Sequence, residues 1–87
     1  MAISTTVNQV KTIILEISEL DGSIDDMDTA SALSSLGFNG NMCNALACRL
    51  NNYVKSIKAD AYVNNAEITS DMTVQNVIDL VTQKSGV

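Results

Sequence analysis

Residues 41–58 have the sequence NMCNALACRLNNYVKSIK, and this stretch decides the fold. Its large apolar residues recur at three- and four-residue intervals, which is the period of an α-helix. On a helical wheel five of them fall within one narrow arc, with Cys43 and Val54 at its edge: Met42, Leu46, Leu50, Tyr53 and Ile57. Asn39 or Asn41 supplies the N-terminal cap. The polar residues are expected on the opposite, solvent-facing side: Asn44, Cys48, Asn51, Asn52 and Lys55.

A second helix is predicted upstream, from about Thr6 to Leu20. The apolar residues of this stretch have the same helical spacing: Val10, Ile13, Ile14, Ile17 and Leu20. We expect Ser4, Thr5 or Thr6 to cap its start. Asp21-Gly22 is expected to end it, because glycine adopts the left-handed conformation that closes a helix.

A third helix is predicted near the end of the sequence, with Thr73 as its N-terminal cap. Its apolar residues follow the i, i+3, i+4, i+7 pattern: Val74, Val77, Ile78 and Val81. We expect it to end before the polar residues Lys84-Ser85-Gly86.

Two long connectors separate the helices. Residues 23–39 are polar with scattered apolar residues, which indicates an ordered loop held against a helical core, with a short helical turn at Ser31 to Leu36. Between Asp60 and Asp71, four residues either form a short third helix or fill gaps in the core: Tyr62, Val63, Ala66 and Ile68. With 87 residues and no proline, the chain is predicted to be one all-α domain.

The formal charge of −5, with only five basic residues, makes nucleic acid an unlikely partner class, because phosphate neutralisation needs clustered Lys or Arg. Basic proteins are favoured as partners instead. The group Asp25, Asp26 and Asp28 is a possible contact for them, although a solvated loop is the simpler interpretation. No apolar run approaches the ~20 residues that span a bilayer, and no signal peptide is apparent, so we expect a cytoplasmic protein without membrane insertion.

The two cysteines, Cys43 and Cys48, are five residues apart on the predicted helix. Helix geometry places their Cα atoms ~8–9 Å apart, beyond disulfide reach, so we expect free thiols. With no His and no other Cys, zinc sites of the usual kind cannot form. The three aspartates lack the spacing, glycine and glutamate of a calcium loop. No nucleophile or carboxylate pairs with a base, so no catalytic residue is nominated and we expect no enzyme.

The order of helices and three local motifs resemble acyl carrier proteins. Leu36-Gly37-Phe38-Asn39-Gly40-Asn41 resembles the family's L-G-x-D-S-L signature at the start of its second helix. Met72 to Asp79, MTVQNVID, resembles the opening of its final helix, and Val10 to Ile14, VKTII, resembles part of its first. The resemblance implies a four-helix bundle, with three main helices, one short helix and a long ordered first loop. It also implies a non-catalytic role in fatty-acid or polyketide-type biosynthesis.

The chain departs from that family at the residue where phosphopantetheine is attached. Gly40 stands at the position of the family's serine, and glycine has no nucleophile. Asn39 stands where the family's signature has aspartate before the serine, and Asn41 stands where it has leucine after the serine. The resemblance therefore implies a module, expected to be a monomer, that lacks phosphopantetheine at Gly40 and acts by protein–protein contact. The expected partner-binding residues are Asn39, Asn41, Met42 and Asn44.

Two other hypotheses remain open from the sequence. The chain is a working carrier if another serine, such as Ser23 or Ser35, is modified, or if serine is the natural residue at position 40; phosphopantetheine is then its cofactor. Cys43 is a further candidate, because a thiol can take an acyl group directly. Alternatively, it is an unrelated helical interaction protein whose periodicity imitates the family. Since the predicted helix 41–58 has no carboxylate, electrostatic steering of partners to it should be weak.

Overall fold

The structure, a computed structural model, describes residues 2–18 and 27–86. Within these residues it contains three α-helices: α1 (Ala2–Ser18), α2 (Gly40–Ile57) and α3 (Val74–Ser85). Each helix packs against the other two. The described residues contain no β-strand, apart from one isolated bridge between Ala32 and Thr73. The prediction of an all-α bundle is confirmed at this level.

Helix α1 begins at Ala2, four residues before the predicted start. The predicted cap at Ser4, Thr5 or Thr6 is therefore wrong, since all three positions lie inside the helix. Thr6 is buried in the first turns, where its short side chain fits against the core. Val10, Ile13 and Ile14 are buried as predicted, and Ile17 packs partly against them. The predicted end at Leu20 and Asp21-Gly22 lies outside the described residues.

Helix α2 buries a slightly different face from the predicted one. Leu46 and Leu50 are fully buried, but so are Ala47 and Val54, and Cys43 is nearly so. Met42 and Tyr53 pack only partly against the core. Ile57, predicted to face the core, is 43% exposed. The buried stripe is thus centred nearer to Cys43, Ala47 and Val54, and the last turn of α2 extends beyond the core.

Helix α3 agrees with its pattern: Val74, Val77, Ile78 and Val81 are all buried. Thr73 caps its start with a reciprocal hydrogen-bond pair to Asn76. The helix continues through Lys84 and Ser85, two residues beyond the predicted end. Ser85 is buried and its hydroxyl donates to the Val81 carbonyl at 2.8 Å. Gly86 closes the helix in the left-handed conformation.

The first connector, of which residues 27–39 are described, is held against the residues that precede α3. A 3₁₀ turn, Leu33–Leu36, occupies the predicted helical turn. The Leu33 amide donates to the Met72 carbonyl at 2.8 Å, and the Val74 amide donates to the Ser31 carbonyl at 3.0 Å. Leu33 and Phe38 are buried in the core. The expectation of an ordered first loop is confirmed for these residues.

The second connector, residues 58–73, contains one 3₁₀ turn, Asn65–Glu67, in the region where the sequence predicted either a short third helix or residues that fill gaps in the core. Val63 and Ile68 are buried as predicted, whereas Tyr62 and Ala66 are exposed. The fourth helix of the predicted bundle is therefore reduced to a three-residue turn.

Asn51 corrects a further prediction about α2. It was expected to face solvent, but it is half-buried, and its Oδ1 accepts a hydrogen bond from the Val63 amide at 2.9 Å. This bond ties the second connector to α2. A polar residue inside an amphipathic pattern looks solvent-facing in the sequence, and only the path of the connector gives it a partner.

Candidate functional site

The residues singled out by the sequence lie together at the N-terminal end of α2. We call Asn39 to Asn44 the head of α2. The chain enters it through Gly37, whose φ of 86° is in the left-handed region that favours glycine. The Gly37 amide donates to the Ser34 carbonyl and closes the 3₁₀ turn. Phe38 then enters the core, and its amide donates to the Leu33 carbonyl at 3.1 Å. These contacts fix the position of the head relative to the bundle.

Asn39 is the N-terminal cap of α2, one of the two caps that the sequence predicted. Its Oδ1 accepts a hydrogen bond from the Met42 amide at 2.9 Å, and its carbonyl accepts one from the Cys43 amide at 2.9 Å. Its backbone is extended, with φ −113° and ψ −177°, as is usual for a cap residue. The predicted cap therefore forms, and Gly40 follows as the first residue of the helix.

Gly40 is exposed, and no heavy atom lies within 4 Å of the point where a Cβ would stand, apart from its own chain neighbours and the nearby helix backbone. The backbone there has ordinary helical geometry, with no positive φ. Packing does not demand glycine at this position, since a larger side chain would point into open space. Position 40 itself offers no hydroxyl or thiol to an incoming group.

The side chains around Gly40 are uncharged. Asn41 and Asn44 are exposed, while Met42 is half-buried and packs against the core. Helix α2 contains no Asp or Glu at all, and its charged residues are Arg49 and Lys55. The head of α2 therefore presents amides and backbone to solvent.

Arg49 is engaged within the molecule. Its Nη2 lies 2.7 Å from Oε1 of Glu16 on α1, an ion pair of which both side chains are about half exposed. Helical periodicity does not indicate this pairing, because the two residues are on different helices. The other charged residue of α2, Lys55, lies near the C-terminal end of the helix. The head of α2 therefore has no charged side chain.

The residues considered in place of position 40 for modification differ from one another in their exposure. Ser35 is exposed in the 3₁₀ turn, five residues before Gly40. Cys43 is buried, and burial raises the pKa of its thiol, which reduces its thiolate fraction and its reactivity. Cys48 is exposed on α2. Both cysteines are free thiols, as predicted. Ser23 lies outside the described residues.

Of the three aspartates suggested as a contact for basic partners, Asp28 lies among the described residues. Asp25 and Asp26 lie outside the described residues. Asp28 is exposed, and its Oδ1 accepts a hydrogen bond from the Ala30 amide at 2.9 Å, which shapes the local turn. Across residues 2–18 and 27–86, no three cysteine or acidic side chains come together as a metal-binding set. In the same residues, no helix is both long and apolar enough to cross a bilayer.

No protein-family model, curated protein or solved structure matches this chain.

Proposed function

We propose that this chain is a carrier-protein-like binding module that does not hold phosphopantetheine at Gly40 and acts in the cytoplasm by contact with proteins of an acyl-chain or polyketide pathway. The supporting observation is the position of Gly40. It is the first residue of a long helix, directly after a capping asparagine, and it is exposed but has no side chain. The resemblance to acyl carrier proteins places their modified serine at this same point.

The surroundings of Gly40 support a role in contact. Asn39, Asn41 and Asn44 are all exposed in the head of α2, and Met42 adds an apolar side chain at the edge of the core. Side-chain amides both donate and accept hydrogen bonds, so this surface suits a partner with backbone or neutral polar groups. Since the head is uncharged, we expect binding that depends only weakly on salt.

The direct test is incubation with coenzyme A, magnesium and a promiscuous phosphopantetheinyl transferase, followed by intact-mass measurement. We expect no mass gain for the natural chain. Stoichiometric gain of the arm would overturn the proposal and favour a working carrier modified elsewhere, for example at Ser35.

The matched variant is Gly40→Ser, which restores a hydroxyl where the structure leaves room for it. Modification of this variant, but not of Ala45→Ser, would show that the transferase still recognises the start of α2. Ala45 is exposed on the same helix and controls for the mere presence of a serine. If neither variant is modified, the unrelated helical interaction protein is favoured.

A further inference from the structure

The dipeptide Asn39-Gly40 occurs where the chain enters α2, and it is the single Asn-Gly pair in the sequence. Glycine after asparagine leaves the following amide nitrogen unhindered, which is the main requirement for attack on the asparagine side chain. Both residues are exposed, and no heavy atom crowds the Cβ position of Gly40. Water and the reacting atoms therefore have free access.

We propose that Asn39 is a site of spontaneous deamidation, which converts the head of α2 from neutral to negatively charged. The inference concerns the chemistry of Asn39 and Gly40 and does not depend on the proposed function. The Gly40 nitrogen forms a bond to Cγ of Asn39 and closes a five-membered succinimide ring. The side-chain nitrogen leaves as ammonia and takes up the proton from the Gly40 amide. Water then opens the ring to aspartate or isoaspartate.

The hydrogen-bond pattern around the pair favours this step. The Gly40 amide has no acceptor among the described residues, so attack costs no backbone hydrogen bond there. Oδ1 of Asn39 already accepts from the Met42 amide, at the positive end of the helix dipole. A donor in this place stabilises the negative charge that develops on the oxygen as the ring closes.

The backbone at Asn39 is also suitably placed. Its ψ of −177° is extended, not helical. A partial rotation about its Cα–C bond then brings the Gly40 nitrogen towards Cγ. The same rotation moves the Asn39 carbonyl, which accepts from the Cys43 amide, so the step requires the first turn of α2 to open.

The two products have different effects on α2. Aspartate is as good an N-terminal cap as asparagine, and its charge is favourable at a helix N-terminus. Isoaspartate adds a methylene to the backbone, which shifts the cap relative to the Met42 amide. Either product places a carboxylate directly before Gly40, on a surface that otherwise has none.

The chain provides an internal control in Asn64. This residue also caps a turn, with Oδ1 accepting from the Ala66 amide at 3.0 Å, and it is also exposed. It is followed by Asn65, whose side chain hinders the same attack. Asn64 differs from Asn39 in one more contact, since its Nδ2 donates to the Tyr62 hydroxyl at 3.1 Å. The comparison of Asn39 with Asn64 therefore reports the following residue together with these local contacts, and Gly40→Ala isolates the following residue.

The experiment is incubation of the full chain in mildly alkaline buffer, with peptide mass spectrometry and fragmentation to place each deamidation event. We expect Asn39 to react at least about fivefold faster than Asn64, with isoaspartate among the products. Gly40→Ala should slow the reaction at Asn39 by at least about fivefold, because alanine hinders attack and favours the helical conformation. Circular dichroism checks that this variant is folded. Equal rates at Asn39 and Asn64, or an unchanged rate in Gly40→Ala, would overturn the proposal.

Discussion

The amide of Leu33 donates a hydrogen bond to the carbonyl of Met72 at 2.8 Å, although the two residues lie on different connectors. This bond, with the bridge between Ala32 and Thr73, fastens the loop before α2 to the residues before α3. Leu33 is also fully buried. The position of the head of α2 therefore depends on contacts made far away in the sequence.

Replacement of Leu33 tests this dependence. Leu33→Ala should lower the free energy of unfolding by about 2–5 kcal/mol, because it removes a fully buried side chain and leaves a cavity. Urea denaturation followed by circular dichroism measures the loss. Ser34→Ala, at the exposed neighbouring position, keeps the backbone bonds and should change stability by less than about 0.5 kcal/mol. Similar effects of the two variants would mean that Leu33 does not anchor the connector.

The cap of α2 is open to a separate test. Asn39→Ala should destabilise the protein by about 1 kcal/mol, since the Met42 amide loses its acceptor. Asn39→Asp should restore the lost stability, because aspartate caps equally well. Thermal unfolding provides the comparison, and Asn41→Ala, one residue into the helix and exposed, is the control. A destabilisation by Asn41→Ala as large as that by Asn39→Ala would contradict the assignment of the cap.

The carboxylate of Glu67 predicts an effect of pH. The backbone amide of Asn64 donates to it, and Lys84 pairs with it at 3.1 Å, so the pKa of Glu67 lies below its usual value. A carboxyl whose pKa is lower in the folded than in the unfolded state stabilises the fold above the unfolded pKa. That stability is lost as the pH falls through the folded pKa.

Glu67→Gln should therefore destabilise the protein at neutral pH, and the difference from the natural chain should shrink on acidification. The effect should stay below about 1 kcal/mol, because the ion pair is partly exposed to solvent. Denaturation curves at several pH values measure it. Asp60→Asn, at an exposed carboxylate of the same connector, controls for the loss of one charge. A difference that grows on acidification would contradict the prediction.

The two thiols should differ in reactivity. Cys48 is exposed, whereas Cys43 is buried and its pKa is raised. We expect one fast-reacting thiol in the folded protein with a chromogenic disulfide reagent, and two in denaturant. Cys48→Ser should abolish the fast phase, and Cys43→Ser should leave it unchanged. Fast loss of both thiols in the folded chain would mean that α2 does not bury Cys43.

Much of this architecture could be predicted from the sequence, because the apolar residues of each helix recur at three- and four-residue intervals. All four apolar residues nominated for α3 are buried, and Asn39 caps α2 as expected. The helix boundaries were less predictable. Helix α1 begins before the three polar residues that were expected to cap it, because the short side chain of Thr6 can be buried within the helix. Ile57 is exposed because the last turn of α2 extends beyond the core. Tyr62 is exposed although its neighbours Ala61 and Val63 are both buried, so its side chain lies on the outer side of the connector.

The missed interactions have one cause in common. Asn51 with Val63 and Arg49 with Glu16 are pairs of residues from different segments. Periodicity describes one segment at a time, so it cannot say which polar residue of one segment meets which residue of another. The surroundings of Gly40 were more accessible to sequence reasoning, because capping and the helix start are local properties.

The most direct test of the central claim is a mass measurement of every peptide, including the one that contains Gly40, from the protein isolated from its native cells. The account predicts the mass given by the sequence, or that mass with the small increase of deamidation at Asn39. A thiol-ended phosphopantetheine arm on this peptide, or anywhere else on the chain, would contradict it.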